Sequence, residues 1–228
     1  MGELSELLHK VTIFEALDAE ALTRLETTLK PLEVGRDQVI VGQSDPGDAL
    51  FIIDRGRVKV TLQGENNREV ILSIFKAGDF FGEMSLLDGQ PRSATVVAIE
   101  DAHLWRLDRE AFVQHLTAHP TTALKVLEVM CNRLRRADDV IGNLALLDVY
   151  SRVARVLIDL GQREGESTEE GIMIRERPTQ QELASMIGTS RETVSRALSE
   201  LQRQGYLSMQ GKAVLLSHAF AARDPQAD

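Results

Sequence analysis

Apolar positions along the chain change their spacing twice. Over residues 3–30 they recur at helical intervals: Leu4, Leu7, Leu8 and Val11 share one face, and Asp18 caps a second run carrying Leu22, Leu25 and Leu29. Between residues 32 and 107 the apolar runs shorten. Segments 39–41, 49–53, 58–60 and 70–72 and the alternating stretch 94–107 read as strands. They are separated by Gly42, Pro46-Gly47-Asp48, Gly56, Gly64-Glu65-Asn66-Asn67, Gly78 and Gly82. Many short strands with glycine turns predict a jelly-roll or barrel. Helical spacing then returns. Asp108 caps a short helix through Leu116, and Pro120 opens a long one reaching Leu146.

That long helix carries two heptad rows, Leu127, Leu134 and Ile141 beside Met130, Ala137 and Leu144. They make a seam of about three heptads, the pattern of a coiled coil. A helix lying between two domains has little else to bury such a stripe against, so the seam predicts a homodimer. Gly142-Asn143-Leu144-Ala145-Leu146-Leu147-Asp148-Val149 marks a hinge. Asp148 caps the next helix, with Val149, Val153, Val156, Leu157 and Leu160 as its apolar face. Residues 161–171 are polar and acidic, a loop or hairpin, and 172–174 a short strand.

Thr179-Gln180-Gln181-Glu182 is a capping box. The helix it starts holds Leu183, Ala184 and Ile187; Gly188 supplies a turn; Ser190 caps a second helix with Val194, Leu198 and Leu201. This is the layout of a helix-turn-helix, and residues 207–216 read as a following β-hairpin, a wing. Residues 217–228 read as a mobile end. The expected fold class is α+β, in three parts: a β-roll (jelly-roll) over 1–119, a dimerisation helix and hinge over 120–147, and a winged helix-turn-helix over 148–228.

Composition narrows the chemistry. The chain has 228 residues, enough for two modest domains, and a net charge of −9. That balance counts against non-specific polyanion binding and leaves room for a small local DNA-reading surface. No run of about 18 apolar residues would span a membrane. The N-terminus, Met1-Gly2-Glu3-Leu4-Ser5-Glu6, lacks a signal peptide's basic start. A single cysteine, Cys131, excludes an internal disulfide, fits a reducing cytoplasm and argues against zinc or iron–sulfur sites. The five histidines show no metal-ligand spacing. His115 and His119 lie four apart with no third ligand, and read as helix-surface residues.

Two stretches carry candidate chemistry. In 82–94, a glycine-led turn between strands ends in Pro91-Arg92-Ser93. Arg92, Ser93 and nearby backbone N–H groups suit a phosphate. Glu83 accepts only, and suits a hydroxyl rather than a phosphate. A carboxylate for a sugar hydroxyl beside an Arg-Ser pair for a phosphate points to a nucleotide. In 190–196, Arg191, Glu192 and Arg196 are exposed early on the second helix of the pair. Arg pairs with guanine O6 and N7, and a carboxylate accepts from cytosine N4. Ser190, Thr193 and Gln180 are placed for phosphates.

Phe81-Gly82-Glu83-Met84, a short loop and then Arg92-Ser93-Ala94 resemble the phosphate-binding cassette of cyclic-nucleotide-binding domains. The order of cassette, long helix, Gly142-Asn143-Leu144-Ala145-Leu146-Leu147-Asp148-Val149 and Ser190-Arg191-Glu192-Thr193-Val194-Ser195-Arg196 resembles the superfamily of the bacterial cyclic-AMP receptor (catabolite activator) and FNR regulators, over roughly residues 10–218. The resemblance implies that Gly82, Glu83, Arg92 and Ser93 hold ribose and cyclic phosphate, with Met84 and Ala94 beside them. It implies that Arg191, Glu192 and Arg196 read half-sites of a TGTGA-like palindrome. It further implies cyclic AMP as allosteric effector, RNA polymerase as a partner and a cytoplasmic location.

The chain departs from the family where a Thr-Ser pair on the long helix meets the adenine: Ala137 and Asp138 stand there. Ala137 has no hydrogen-bonding side chain. Asp138 is an acceptor, better matched to the two adjacent donors of guanine. Cyclic GMP and cyclic di-GMP are therefore open alternatives to cyclic AMP, as is activity without ligand. A nucleotide-processing enzyme built on Glu83 and Arg92 finds no Walker-type loop, metal cluster or nucleophile–base pair in the sequence. A module binding protein through its helical hairpin is the other alternative.

Overall fold

The glycine-punctuated strands of the N-terminal half pair antiparallel into two four-stranded sheets. In the computed structural model, which describes residues 2–64 and 69–222, the chain forms two bodies, Met1–Arg135 and Arg136–Asp228. Glu65, Asn66 and Asn67 of the expected turn lie outside the described residues.

The strands of the first body are β1 (Leu29–Val34), β2 (Val39–Val41), β3 (Ala49–Arg55), β4 (Val58–Gln63), β5 (Glu69–Phe75), β6 (Phe80–Phe81), β7 (Thr95–Ala98) and β8 (Ala102–Asp108). One sheet runs β1-β8-β3-β6, the other β2-β7-β4-β5. Between them Val34, Phe51, Ile53, Val58, Val96 and Leu104 form the core of a β-roll. Among the described residues four helices lie within this body: α1 (Glu3–Lys10), α2 (Ala19–Glu26), the short α3 (Glu83–Asp88) and α4 (Arg109–Ala118). A fifth, α5 (Pro120–Leu146), starts there. Leu8, Leu22, Phe112 and Val126 of α1, α2, α4 and α5 make a second core with Leu50, Ile52 and Leu107. β3 thus serves both cores. Ala49, Phe51 and Ile53 enter the roll, and Leu50 and Ile52 turn to the helices. This explains why its sequence is an unbroken apolar run rather than an alternation.

Several expectations are corrected. The helical region 3–30 breaks at 11–17, where Val11, Ile13, Phe14 and Leu17 are buried without helical structure, and yields to β1 at Leu29. Among the described residues β1 pairs only with β8, so as an edge strand it tolerates Pro31, which hid it in the sequence. The single stretch 94–107 is two strands in different sheets. Asp108 occupies the N-cap position of α4 but gives it no side-chain bond; its carboxylate takes Lys30 and Arg106 instead.

The second body holds α6 (Val149–Glu164), β9 (Glu166–Thr168), β10 (Gly171–Ile174), α7 (Gln180–Ile187), α8 (Arg191–Arg203), β11 (Leu207–Gln210), β12 (Ala213–Ser217) and α9 (His218–Ala221). Its sheet runs β11-β12-β10-β9. The expected hinge is narrower than 142–149. α5 continues through Gly142 to Leu146, and the helix stops at Leu147-Asp148. Asp148 then caps α6, accepting from the Ser151 N–H at 2.7 Å. The expected mobile end is also corrected in part. Ser217 caps α9, and Phe220 is fully buried, stacked on Tyr206. Residues beyond 222 lie outside the described part.

His115 is not the surface residue its spacing suggested. It is buried on α4, edge-on to Phe14 at 5.4 Å, with Nε2 3.3 Å from the Thr122 hydroxyl. Burial, and then the charge of His119, push its pKa down to about 4. Folded, the ring stays neutral to about pH 4; unfolded, it takes a proton near pH 6.5. Acid therefore favours the unfolded chain. Stability of the first body should be flat above pH 6.5 and fall by up to about 3 kcal/mol between there and pH 4. Urea unfolding followed by fluorescence of Trp105, the one tryptophan, measures this. His115→Phe should flatten the slope.

Candidate functional site

The stretch 82–94 folds as a short helix rather than a plain turn. Gly82 (φ +91°) starts α3 and Gly89 (φ +72°) ends it, both in the left-handed region that disfavours a side chain. At Gly82 space forbids one too. A Cβ would stand 2.6 Å from an Arg92 nitrogen and 2.8 Å from the Ala49 carbonyl. The loop before β3 lies directly on α3: a Cβ on Gly47 would meet the Ser85 Cβ at 2.0 Å. Two backbone bonds stitch this loop to the end of the cassette, Ser44 N–H to Arg92 O (2.9 Å) and Arg92 N–H to Asp45 O (2.8 Å).

Two charged side chains are buried here. Glu83 is 1% exposed and Arg92 5%. Arg133 of α5 donates to Glu83 Oε1 at 2.7 Å and to the Phe80 carbonyl at 2.7 Å. Its guanidinium lies 4.9 and 5.0 Å from the ring centroids of Phe75 and Phe80. Glu83 Oε2, also buried, has no partner among the described residues. Arg92 turns inward. Its terminal nitrogens donate to Gly82 O (2.9 Å) and Ala49 O (2.8 Å), and its Nε is buried without a partner. Burial lowers its pKa, opposed by Asp48, 3.8 Å away, and by Glu83. Ser93, by contrast, is exposed, its hydroxyl 3.7 Å from the Met84 sulfur, and Ala94 is buried. The structure thus brings Glu83 and Arg92 together and adds Arg133, which the sequence reading missed. The signal was there: Val126, Val129, Met130 and Arg133 fall on one helical face, and a buried Glu83 needs a cation.

On α5, Leu127, Leu134, Ile141 and Leu144 are exposed, as are Ala137 and Asp138. Met130 differs, packing half-buried against the core of the first body.

In the second body every local expectation for 179–190 is met. The Thr179–Glu182 capping box closes reciprocally, Gly188 (φ +66°) ends α7 left-handed, and Ser190 accepts from the Thr193 N–H to start α8. Leu183, Ala184, Ile187, Val194, Leu198 and Leu201 are buried together. The opposite face of α8 borders a groove lined by Gln180, Arg191, Glu192, Ser195 and Arg196. Ser195 was not foreseen. The Ser190 and Thr193 hydroxyls lie 3.0 Å apart, engaged with each other at the cap. The carboxyl of Glu192 is held below its usual range by its own backbone N–H and then by the Ser190 hydroxyl. It is therefore ionised at neutral pH and available as an acceptor. β11 and β12 form the wing, turning at Gly211 (φ +63°).

A β-roll with buried, unmatched polar atoms in its cassette and a winged helix-turn-helix with a charged reading face together define a ligand-responsive DNA-binding regulator. Residues 31–119 match the cyclic nucleotide-binding domain family, and residues 151–219 the Crp-like helix-turn-helix domain family. The chain is 33% identical to the CRP-like cAMP-activated global transcriptional regulator of Mycobacterium tuberculosis, over 94% of this chain and 96% of that one. It is 34% identical to the cAMP-activated global transcriptional regulator CRP of Escherichia coli, over 78% and 84%. Its structure superposes on the c-di-GMP responsive global regulator CLP of Xanthomonas campestris with a TM-score of 0.74 at 28% identity, covering 88% of this chain and 99% of that one. The chain belongs to the CRP family of cyclic-nucleotide-binding transcription regulators.

Among the described residues no group of side chains is arranged to hold a metal, and no helix is long and apolar enough to cross a membrane.

Removing Arg133 leaves the Glu83 carboxylate buried and unpaired. Arg133→Met should destabilise the first body by about 3 kcal/mol in urea unfolding. Glu83→Gln made on top of it should recover part of that loss, giving a coupling of about 1 kcal/mol or more in the double-mutant cycle.

Proposed function

We propose that the chain is a cytoplasmic, homodimeric regulator whose DNA binding is gated by a cyclic nucleotide held in the β-roll, cyclic AMP in the first place. The observation that carries the ligand is the pair of unmatched atoms in the cassette. Glu83 Oε2 is a buried acceptor lacking a donor, and Arg92 Nε a buried donor lacking an acceptor. A ribose hydroxyl supplies the donor and a cyclic phosphate the acceptor, so one nucleotide answers both needs. Gly82, Met84, Ser93 and Ala94 complete the cassette. The Mycobacterium and Escherichia relatives, both cAMP-activated regulators, favour cyclic AMP.

A second reading, a guanine nucleotide, rests on Asp138. It stands exposed and, among the described residues, its side chain has no partner within the chain. The Xanthomonas relative is c-di-GMP responsive.

The dimer forms along the exposed residues of α5, Leu127, Leu134, Ala137, Ile141 and Leu144, with Met130 at the edge. Bound nucleotide favours one arrangement of this seam. That arrangement sets the two α8 helices for successive major grooves, about 34 Å apart. The ligand shifts the equilibrium as far as it binds one state better than the other. Arg191, Glu192 and Arg196 read base edges of a TGTGA-like palindrome, and Gln180, Ser190 and Thr193 hold phosphates. RNA polymerase is the partner this DNA-bound dimer presents itself to.

Calorimetric titration with cyclic AMP, cyclic GMP and cyclic di-GMP tests the ligand. Arg92→Gln should weaken binding at least tenfold while leaving the unfolding transition of the second body in place; binding equal to the wild type refutes the cassette assignment. In a binding-site selection, Arg191→Ala should relax preference at one base pair of each half-site, a loss of about 1–3 kcal/mol. An unchanged preference refutes that role.

A further inference from the structure

Met84, the second residue of α3, is 46% exposed. Among the described residues the other methionines, Met130, Met173, Met186 and Met209, are half-buried. Its neighbours keep it outside. Glu83, Ser85 and Leu86 are buried, and Ser85 is packed directly on Gly47, so α3 cannot rotate to draw Met84 inward. Ser93, at the other end of the cassette, is exposed as well, and its hydroxyl donates to the Met84 sulfur at 3.7 Å. Two exposed side chains thus meet across the cassette. The hydroxyl expected at the phosphate is held by a thioether, a weak acceptor that an anionic oxygen readily replaces.

We propose that Met84 is an oxidation site through which peroxide lowers nucleotide binding. Hydrogen peroxide transfers one oxygen atom to the thioether. Its O–O bond breaks, an S–O bond forms, the sulfur gives up two electrons, and the remaining atoms of the peroxide leave as water. The product is a polar sulfoxide whose oxygen accepts hydrogen bonds far better than the thioether did. Beside Ser93, that oxygen keeps the hydroxyl for itself and sets partial negative charge where the cyclic phosphate needs donors. Both effects oppose the phosphate. Oxidation therefore weakens binding, and reduction by a methionine sulfoxide reductase restores it. This rests on the nucleotide reading above and adds a chemical control acting on the same site.

The test treats the full chain with hydrogen peroxide and locates the added oxygen by peptide mass spectrometry. Cyclic AMP, cyclic GMP and cyclic di-GMP are titrated calorimetrically before treatment, after it and after repair by the reductase. Met84→Leu, which nearly conserves volume and removes the sulfur, is treated in parallel. Each protein is compared with its own untreated affinity. Met84 should be oxidised before the four half-buried methionines. Its oxidation should weaken binding by about tenfold, the worth of one hydrogen bond to a charged group, and repair should recover the loss. Met84→Leu should bind alike before and after treatment.

Oxidised Met84 that binds nucleotide as before overturns the inference, and so does a Met84 slower to oxidise than the half-buried methionines. An equal loss in Met84→Leu overturns it by placing the damage elsewhere, Cys131 included. A loss that the reductase does not reverse overturns it in the wild type alone, without recourse to the variant. A chain that binds none of the three nucleotides before treatment gives a different result: the nucleotide reading itself fails, and the inference with it.

Discussion

A carboxylate almost without solvent contact sits at the start of α3, and the first body is arranged to pair it. Glu83 is reached by Arg133 from a helix fifty residues further along the chain. Arg133 is itself held by the Phe80 carbonyl and by two aromatic rings. An ion pair in such a place gains little over a well-packed apolar pair, and losing one member is costly. What it fixes is position. The first turns of α5 cannot drift from the cassette without stranding a buried charge. Arg92 repeats the theme, its two terminal nitrogens committed to carbonyls of the cassette and of β3.

The DNA-reading half is built on the opposite principle. Its α7–turn–α8 unit is specified by neighbours in sequence: Thr179 with Glu182, Gly188 at a left-handed corner, Ser190 with Thr193. Each of these bonds spans three or four residues. Arg191, Glu192, Ser195 and Arg196 project from a helix whose other side is locked into the core. Local capping sets the angle of that helix, and the reading face is free to be charged.

This contrast explains what the sequence disclosed. Elements defined by short-range chemistry were legible almost to the residue: α5 from Pro120 to Leu146, the capping box, Gly188 and the wing. The β-roll was legible as a class from its glycine-separated runs. Features that depend on distant partners were not. β1 hid behind Pro31, which only an edge position accommodates. α3 looked like a turn, because its six residues carry too little periodicity to declare a helix. Arg133 looked like one more surface arginine until Glu83, Phe75 and Phe80 stood around it. The spacing of His115 points to a surface residue and the place of Phe220 to a mobile end, because burial is set by what packs over a residue, and neither has a neighbour in sequence that announces it.

The two-faced burial of β3 has a consequence for how the first body comes apart. A strand whose alternate residues feed two cores can slip by one position only by exchanging Leu50 and Ile52 with Phe51 and Ile53, which unmakes both cores together. The helical layer and the roll are then a single cooperative unit rather than a scaffold with attachments. Opening the helices leaves Leu50, Ile52 and Leu107 facing water. The slowest-exchanging amides of the body are accordingly expected along β3 and its partner β8, shared by both layers.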